Sequence, residues 1–289
     1  MSNIPKSSPN KPKAIEHISD TARWVAVYRA AESERPDALF NDRFAGLLAG
    51  PHGADIVKSI PGGAVMGWAI VVRTQVIDEV ILRAVADGVD TVLNLASGLD
   101  TRPYRLALPA SLKWIEVDLP EISAYKKTKL AQEKPVCQLE RINLDLSDGE
   151  KRRALFTRIN GEAKKVLVLT EGILMYLPPN LVSELAADLR TQPTFAYWVQ
   201  DYVAPAMLRI LSVLWKGALG RGNSHFKFFN KEGKRFFTNR GWKIKEFHPS
   251  LHDARRLNRD MPFGWAARAA DAVSPVHFGR KSGGILVLS

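Results

Sequence analysis

From Gly88 onward, short apolar runs alternate with stretches of helical character, and this alternation is what most restricts the fold. The runs are Thr91–Ala96, Trp114–Val117, Leu139–Leu144, Val166–Thr170 and Phe195–Val199. Strands separated by helical segments predict βαβ crossovers around a parallel sheet. Val166-Leu167-Val168-Leu169 lacks polar alternation, as a strand covered on both faces should. Two later runs, Gly241–Phe247 and Gly283–Leu288, also read as strands. The expected fold is therefore α/β and Rossmann-like, with a seven-stranded, mostly parallel sheet and helices on both faces.

Ahead of Gly88 the pattern is helical. His17–Ala31, Phe40–Leu48 and Val65–Val85 read as helices, and Pro51–Gly63 as a connection containing Gly and Pro. Residues 1–13 carry Lys6, Lys11 and Lys13 among Ser, Pro and Asn, without an apolar segment. They read as a disordered tail rather than a secretory signal. The division expected is a tail (1–13), a helical cap (14–85) and a core (86–289), the last two forming one structural unit. Residues 17–31 are the expected lid over a ligand site.

The 46% hydrophobic content is enough to build a large core, and no run is long enough for a transmembrane helix. The single cysteine, Cys137, rules out an internal disulfide and a four-cysteine metal site, and no metal is expected. A cytoplasmic location fits this cysteine usage. Residues 203–289 hold 16 of the 41 Lys and Arg but 5 of the 30 Asp and Glu, so this third carries the whole net charge of +11. Such a segment can attract RNA, an anionic surface or an acidic substrate. Its cations are scattered and no RNA-recognition motif accompanies them, so a solvated basic face is the simpler reading.

The first apolar run ends in Asn94-Leu95-Ala96-Ser97-Gly98-Leu99-Asp100-Thr101-Arg102-Pro103. Pro103 suits the first turn of a helix, so the order is strand, tight turn at Gly98, helix. In open α/β sheets ligands bind at the carboxyl ends of the strands. A dinucleotide fingerprint needs three glycines to approach a pyrophosphate. Here Ala96 and Thr101 stand where the companions of Gly98 would be. A one-glycine loop favours S-adenosylmethionine, which has no phosphate, over NAD. Asp118 follows Gly98 by 20 residues at the end of the second run, the place of a carboxylate that accepts from ribose hydroxyls. Its alternative is to cap the helix opened by Leu119-Pro120. Asp145 ends the third run, where it can accept from the adenine amino group while the Leu146 N–H donates to a ring nitrogen; helix capping is again the alternative. Glu171 ends the fourth run, beside the transferable methyl or the amino-acid part of the cofactor, or else serves as a structural ion-paired carboxylate.

Taken together, Arg73-Thr74 with Asp78, Ala96–Arg102, Glu116-Val117-Asp118-Leu119-Pro120, Asn143-Leu144-Asp145-Leu146 and Glu171–Leu177 resemble the leucine carboxyl methyltransferase family. The bacterial branch linked to polyketide O-methylation is most similar. Thr21-Ala22, Arg29-Ala30-Ala31-Glu32 and Asp42-Arg43-Phe44-Ala45 share the likeness, which runs from about residue 17 to 202. The resemblance implies a class I, S-adenosylmethionine-dependent O-methyltransferase. It places Arg73, Ala96, Gly98, Asp118, Leu119, Asp145, Leu146 and Glu171 around the cofactor, with Arg73 paired to the cofactor's carboxylate. The acceptor implied is a carboxylate or hydroxyl of a small, polyketide-like molecule, or a peptide carboxylate. No general base is nominated, since none of the six histidines sits in a motif. Glu171, Tyr176 and Tyr202 are the candidates for positioning the acceptor, and Arg102 for shaping the pocket. Two alternatives are an RNA methyltransferase using the basic third and a binding protein without catalysis.

Overall fold

The computed structural model describes residues 20–59, 62–216, 225–261, 264 and 283–289. The tail expected over 1–13 lies outside the described residues. The described residues open with three helices, α1 (Asp20–Ser33), α2 (Ala45–Ser59) and α3 (Gly63–Ala86). Then follow β1 (Thr91–Leu95), α4 (Arg102–Arg105), β2 (Lys113–Asp118), α5 (Pro120–Lys129), β3 (Gln138–Asn143), α6 (Gly149–Glu162) and β4 (Val166–Thr170). A 3-10 turn at Leu174–Tyr176 leads to α7 (Pro179–Arg190), β5 (Phe195–Val203) and α8 (Pro205–Leu214). The later described residues comprise α9 (Arg235–Thr238), β6 (Ile244–Pro249), α10 (Ser250–Arg256) and β7 (Gly283–Leu288).

The seven strands form one sheet in the order β3-β2-β1-β4-β5-β7-β6. The first five are parallel; β7 runs antiparallel to both β5 and β6. The order reverses between β1 and β4, so the loops after those strands open onto the topological switch point.

Alternate side chains of each strand feed two cores. Leu93, Leu95, Ile115, Val117, Val166 and Val168 pack with Phe156 of α6 and with Val182, Leu185 and Leu189 of α7. Val92, Trp114, Leu167 and Leu169 meet Val72, Val76, Ile77 and Ile81 of α3, together with Ala254 of α10. Losing a fully buried ring such as Phe156 costs about 3–5 kcal/mol, because the cavity left behind adds to the lost transfer energy. Among the described residues no helix is long and apolar enough to cross a membrane.

Two expectations need correction. Residues 51–59, expected as a connection, are helical. Gly50 takes φ 59°, ψ −177°, a conformation open essentially to glycine, and Pro51 then restarts the helix as a first-turn residue. Proline here marks a helix start rather than a loop. Phe40–Leu48, expected as helix, is irregular up to Phe44 and joins α2 at Ala45. Two strands also shift. β5 continues past Val199 to Val203, because Gln200–Val203 pair with β7. β6 begins at Ile244 rather than Gly241.

Candidate functional site

The carboxyl ends of β1, β2, β4 and β5 and the loop after β3 surround a cavity of about 970 Å³, the upper end of the range for small-molecule sites. Its opposite walls come from α1, α3 and α8. Arg73, Ala96, Gly98, Asp118, Leu119, Asp145, Leu146, Glu171, Tyr176 and Tyr202 all line it.

The loop after β1 is held by carboxylates. Ala96 and Gly98 both take positive φ, 54° and 50°. Ala96 thus adopts the left-handed backbone that a glycine would take without strain. At Gly98 a Cβ would lie 3.3 Å from the Cβ of Ala22 on α1, so the missing side chain lets α1 pack closely on the loop. Asp118 Oδ2 accepts from the Gly98 N–H (2.5 Å) and Oδ1 from the Leu119 N–H (2.8 Å). Each oxygen keeps a second lone pair, so the carboxylate can still accept from a pair of hydroxyls. Burial raises the Asp118 pKa, and the two backbone donors only partly offset this.

Asp145 closes a turn by accepting from the Ser147 N–H (2.8 Å), while the helix-capping role falls to Asp148, which accepts from the Lys151 N–H. The side chain of Asp145 is exposed and that of Leu146 is buried. The Leu146 N–H donates to no described residue, although its carbonyl accepts from Arg152.

Beside the β4 loop lies a network of buried charges. Arg102, only 2% exposed at its side chain, reaches Asp78 (2.6 Å), Asp100 (2.8 Å) and Glu171 (2.7 Å). Arg73 Nε sits 2.8 Å from Glu171 without hydrogen-bond alignment, and its Nη1 donates to Asp201 (3.0 Å). Its Nη2 bonds to no described residue. Burial alone would raise the Glu171 pKa; Arg102 and Arg73 outweigh it and hold the carboxyl below its ordinary value. Burial raises the Tyr176 and Tyr202 hydroxyls, Tyr176 strongly, so both stay protonated at neutral pH.

Arg73, expected to face a ligand carboxylate, thus already has two carboxylate partners in the protein and keeps one edge of its fork open. Asp201 was not anticipated. It stands at the carboxyl end of β5 and accepts from both Arg73 and the Gly172 N–H (2.8 Å). The signal is present in the sequence, a carboxylate following an apolar strand, but the apolar run itself stops at Val199, short of Asp201. Asp100 was likewise missed as the organiser of the β1 loop, where it accepts from Asn94 (2.8 Å), the Arg102 N–H (2.8 Å) and the Arg102 side chain. A further buried set, Arg29, Asp42 and Thr101, ties α1 to the same loop. Arg29 and Thr101 donate to Asp42 at 2.8 and 2.7 Å, and Arg29 also donates to the Leu99 carbonyl.

Residues 22–190, more than half of the chain, match the family model described as leucine carboxyl methyltransferase. The chain belongs to the leucine carboxyl methyltransferase family. Relatives from Parafrankia sp. (strain EAN1pec) and Streptomyces coelicolor carry the provisional name of S-adenosyl-L-methionine-dependent methyltransferases. They are 34% and 35% identical to it over 183 and 181 residues. Each match covers 60% of this chain but 58% and 64% of those relatives, less than two thirds of their length. Among solved structures, a DUF574 family protein from Streptomyces avermitilis has a TM-score of 0.59 at 11% identity, covering 96% of this chain and 99% of that one. A provisionally assigned methyltransferase from Thermobifida fusca also scores 0.59, at 16% identity and 97% coverage of both chains. These two likenesses establish the fold, a Rossmann-like sheet with helices on both faces.

Proposed function

We propose that this chain is an S-adenosylmethionine-dependent O-methyltransferase that acts on a carboxylate or hydroxyl oxygen of a small molecule, or on a peptide carboxylate. The observation that carries this reading is the convergence of Gly98, Asp118, Asp145, Leu146 and Glu171 from four successive strand ends on one cavity. The cavity suits the cofactor in its donor set. The second lone pairs of Asp118 would take the ribose hydroxyls, Asp145 and the unbonded Leu146 N–H the adenine edge, and the open edge of Arg73 the carboxylate. The crowding at Gly98 means that a side chain there would compete with the ligand and α1 for the same space.

When bound, S-adenosylmethionine supplies an electrophilic methyl carbon on a positively charged sulfur, which keeps the carbon–sulfur electron pair as the acceptor's oxygen–carbon bond forms. The protein's part is alignment and exclusion of water. Glu171 and Asp201 place negative charge at the β4 and β5 ends, where a sulfonium is favoured over a neutral thioether. Both are anchored by Arg73, and Tyr176 and Tyr202 stay protonated, so these side chains shape the pocket rather than remove a proton. A carboxylate acceptor, already ionised at neutral pH, is the one they serve with least assistance.

The basic third gives the RNA reading little support. Arg259 is bound to Glu32 (2.8 Å) and Arg256 to Glu79 (2.8 Å), so part of that charge neutralises the helical cap. Calorimetric titration with S-adenosylhomocysteine tests the proposal. One site is expected, with affinity falling by about 100-fold in Asp118→Ala, the cost of two charge-assisted hydrogen bonds. An unchanged affinity in that variant would refute the assignment.

A further inference from the structure

One end of the cavity is built differently from the other. At the strand ends its lining is charged or hydrogen-bonding. Away from them, four rings from separate parts of the chain form a continuous wall. Trp24 of α1 meets Trp215, just past α8, edge-on at 5.2 Å between centroids. Trp215 lies 6.2 Å from Phe226, and Phe226 lies 5.4 Å from Tyr176. All four line the cavity and are less than a tenth exposed. Met207 and Leu211, one turn apart on α8, extend the apolar surface toward Trp215. Tyr176 joins the two halves, since its hydroxyl senses the charges of Arg73 and Asp201. The cavity wall at this end also includes the exposed Lys227.

A ring wall of this kind offers an incoming molecule dispersion contact and release of water, and few hydrogen bonds. A polar acceptor, such as a short hydroxy acid or an acidic peptide, would lose hydration along it without replacement. Resting on the methyl-transfer reading above, we propose that the acceptor is a lipophilic molecule. Its aromatic or alkyl body lies against Trp24, Trp215, Phe226 and Tyr176, and its oxygen is directed to the charged end. The rings then set selectivity through the apolar area they cover, and acceptors of different skeleton but similar girth share the site.

The test measures binding of 4-alkylbenzoic acids and 4-alkylphenols with lengthening tails to the protein loaded with S-adenosylhomocysteine. Affinity should tighten about fourfold for each methylene in at least one series until the chamber is full. Trp215→Leu and Leu211→Ala should flatten that slope while leaving S-adenosylhomocysteine affinity unchanged, a measurement that also certifies the fold of each variant. Affinity independent of tail length, tighter binding of short polar acids, or slopes unaltered in both variants would overturn the proposal. Failure of the wild-type protein to bind S-adenosylhomocysteine would instead overturn the methyl-transfer reading beneath it.

Discussion

Replacing Arg102 by Met keeps the side chain's length and removes its charge. The guanidinium is fully buried and holds three carboxylates at 2.6–2.8 Å. Each carboxylate retains another partner. Asp78 keeps Arg105 at 2.6 Å, Asp100 keeps Asn94 at 2.8 Å, and Glu171 keeps Arg73. The loss is therefore that of one broken buried ion pair rather than three, about 3–5 kcal/mol. That is a third or more of a typical domain's stability and on the order of 10 °C in melting temperature. The dependence on pH carries the sharper signature. In the wild type, Asp100 and Glu171 are held below their ordinary values against the upward push of burial. Their stabilisation is complete above about pH 4 and fades as pH falls through the depressed values. In the variant Asp100 and Glu171 each lose a guanidinium neighbour, so their pKa values rise, and protonation relieves them as pH falls. The stability gap between the two proteins should thus be widest at neutral pH and narrow toward pH 4. Urea unfolding across that range reads it directly. A gap below about 1 kcal/mol at neutral pH, or one of constant size, would refute the reasoning.

Gly98→Val forces a β-branched residue into a backbone with φ 50° and places its Cβ 3.3 Å from Ala22. Strain of about 1–2 kcal/mol should lower the melting temperature, and calorimetry should show S-adenosylhomocysteine binding weakened at least tenfold. Binding that uses the ionised Asp118 should weaken on acidification, with a midpoint above the ordinary carboxylate value because burial raises this group. The acid-side loss should vanish in Asp118→Asn, and a persistent loss there would assign it to another group.

What was legible in the sequence was local. Each strand ending in Gly98, Asp118, Asp145 or Glu171 announced itself by an apolar run and the polar residue that closed it, because strand burial and chain reversal are encoded within a few neighbours. Pro51 misled because proline serves loops and helix starts equally, and the decision rested on the backbone angles of Gly50. Asp201 escaped because the last three residues of β5 are strand by virtue of β7, 80 or more residues away. The partners of Arg73 and Arg102 escaped for the same reason. An arginine declares its charge in the sequence, whereas the carboxylates it meets are set by how α3, the β1 loop and the β4 and β5 ends come together.

The placement of β7 has a consequence for how the chain is assembled during synthesis. Among the described residues β6 touches the sheet only through β7, which pairs with β5 on its other side. Until residues 283–288 emerge, β6 has no edge to join, and β5 presents an open hydrogen-bonding edge beside a finished half-sheet. A chain that folded before that point would present the unpaired β5 edge, the kind of edge on which other chains can pair. One late, long-range pairing closes it, a step of high contact order that should set the pace of folding.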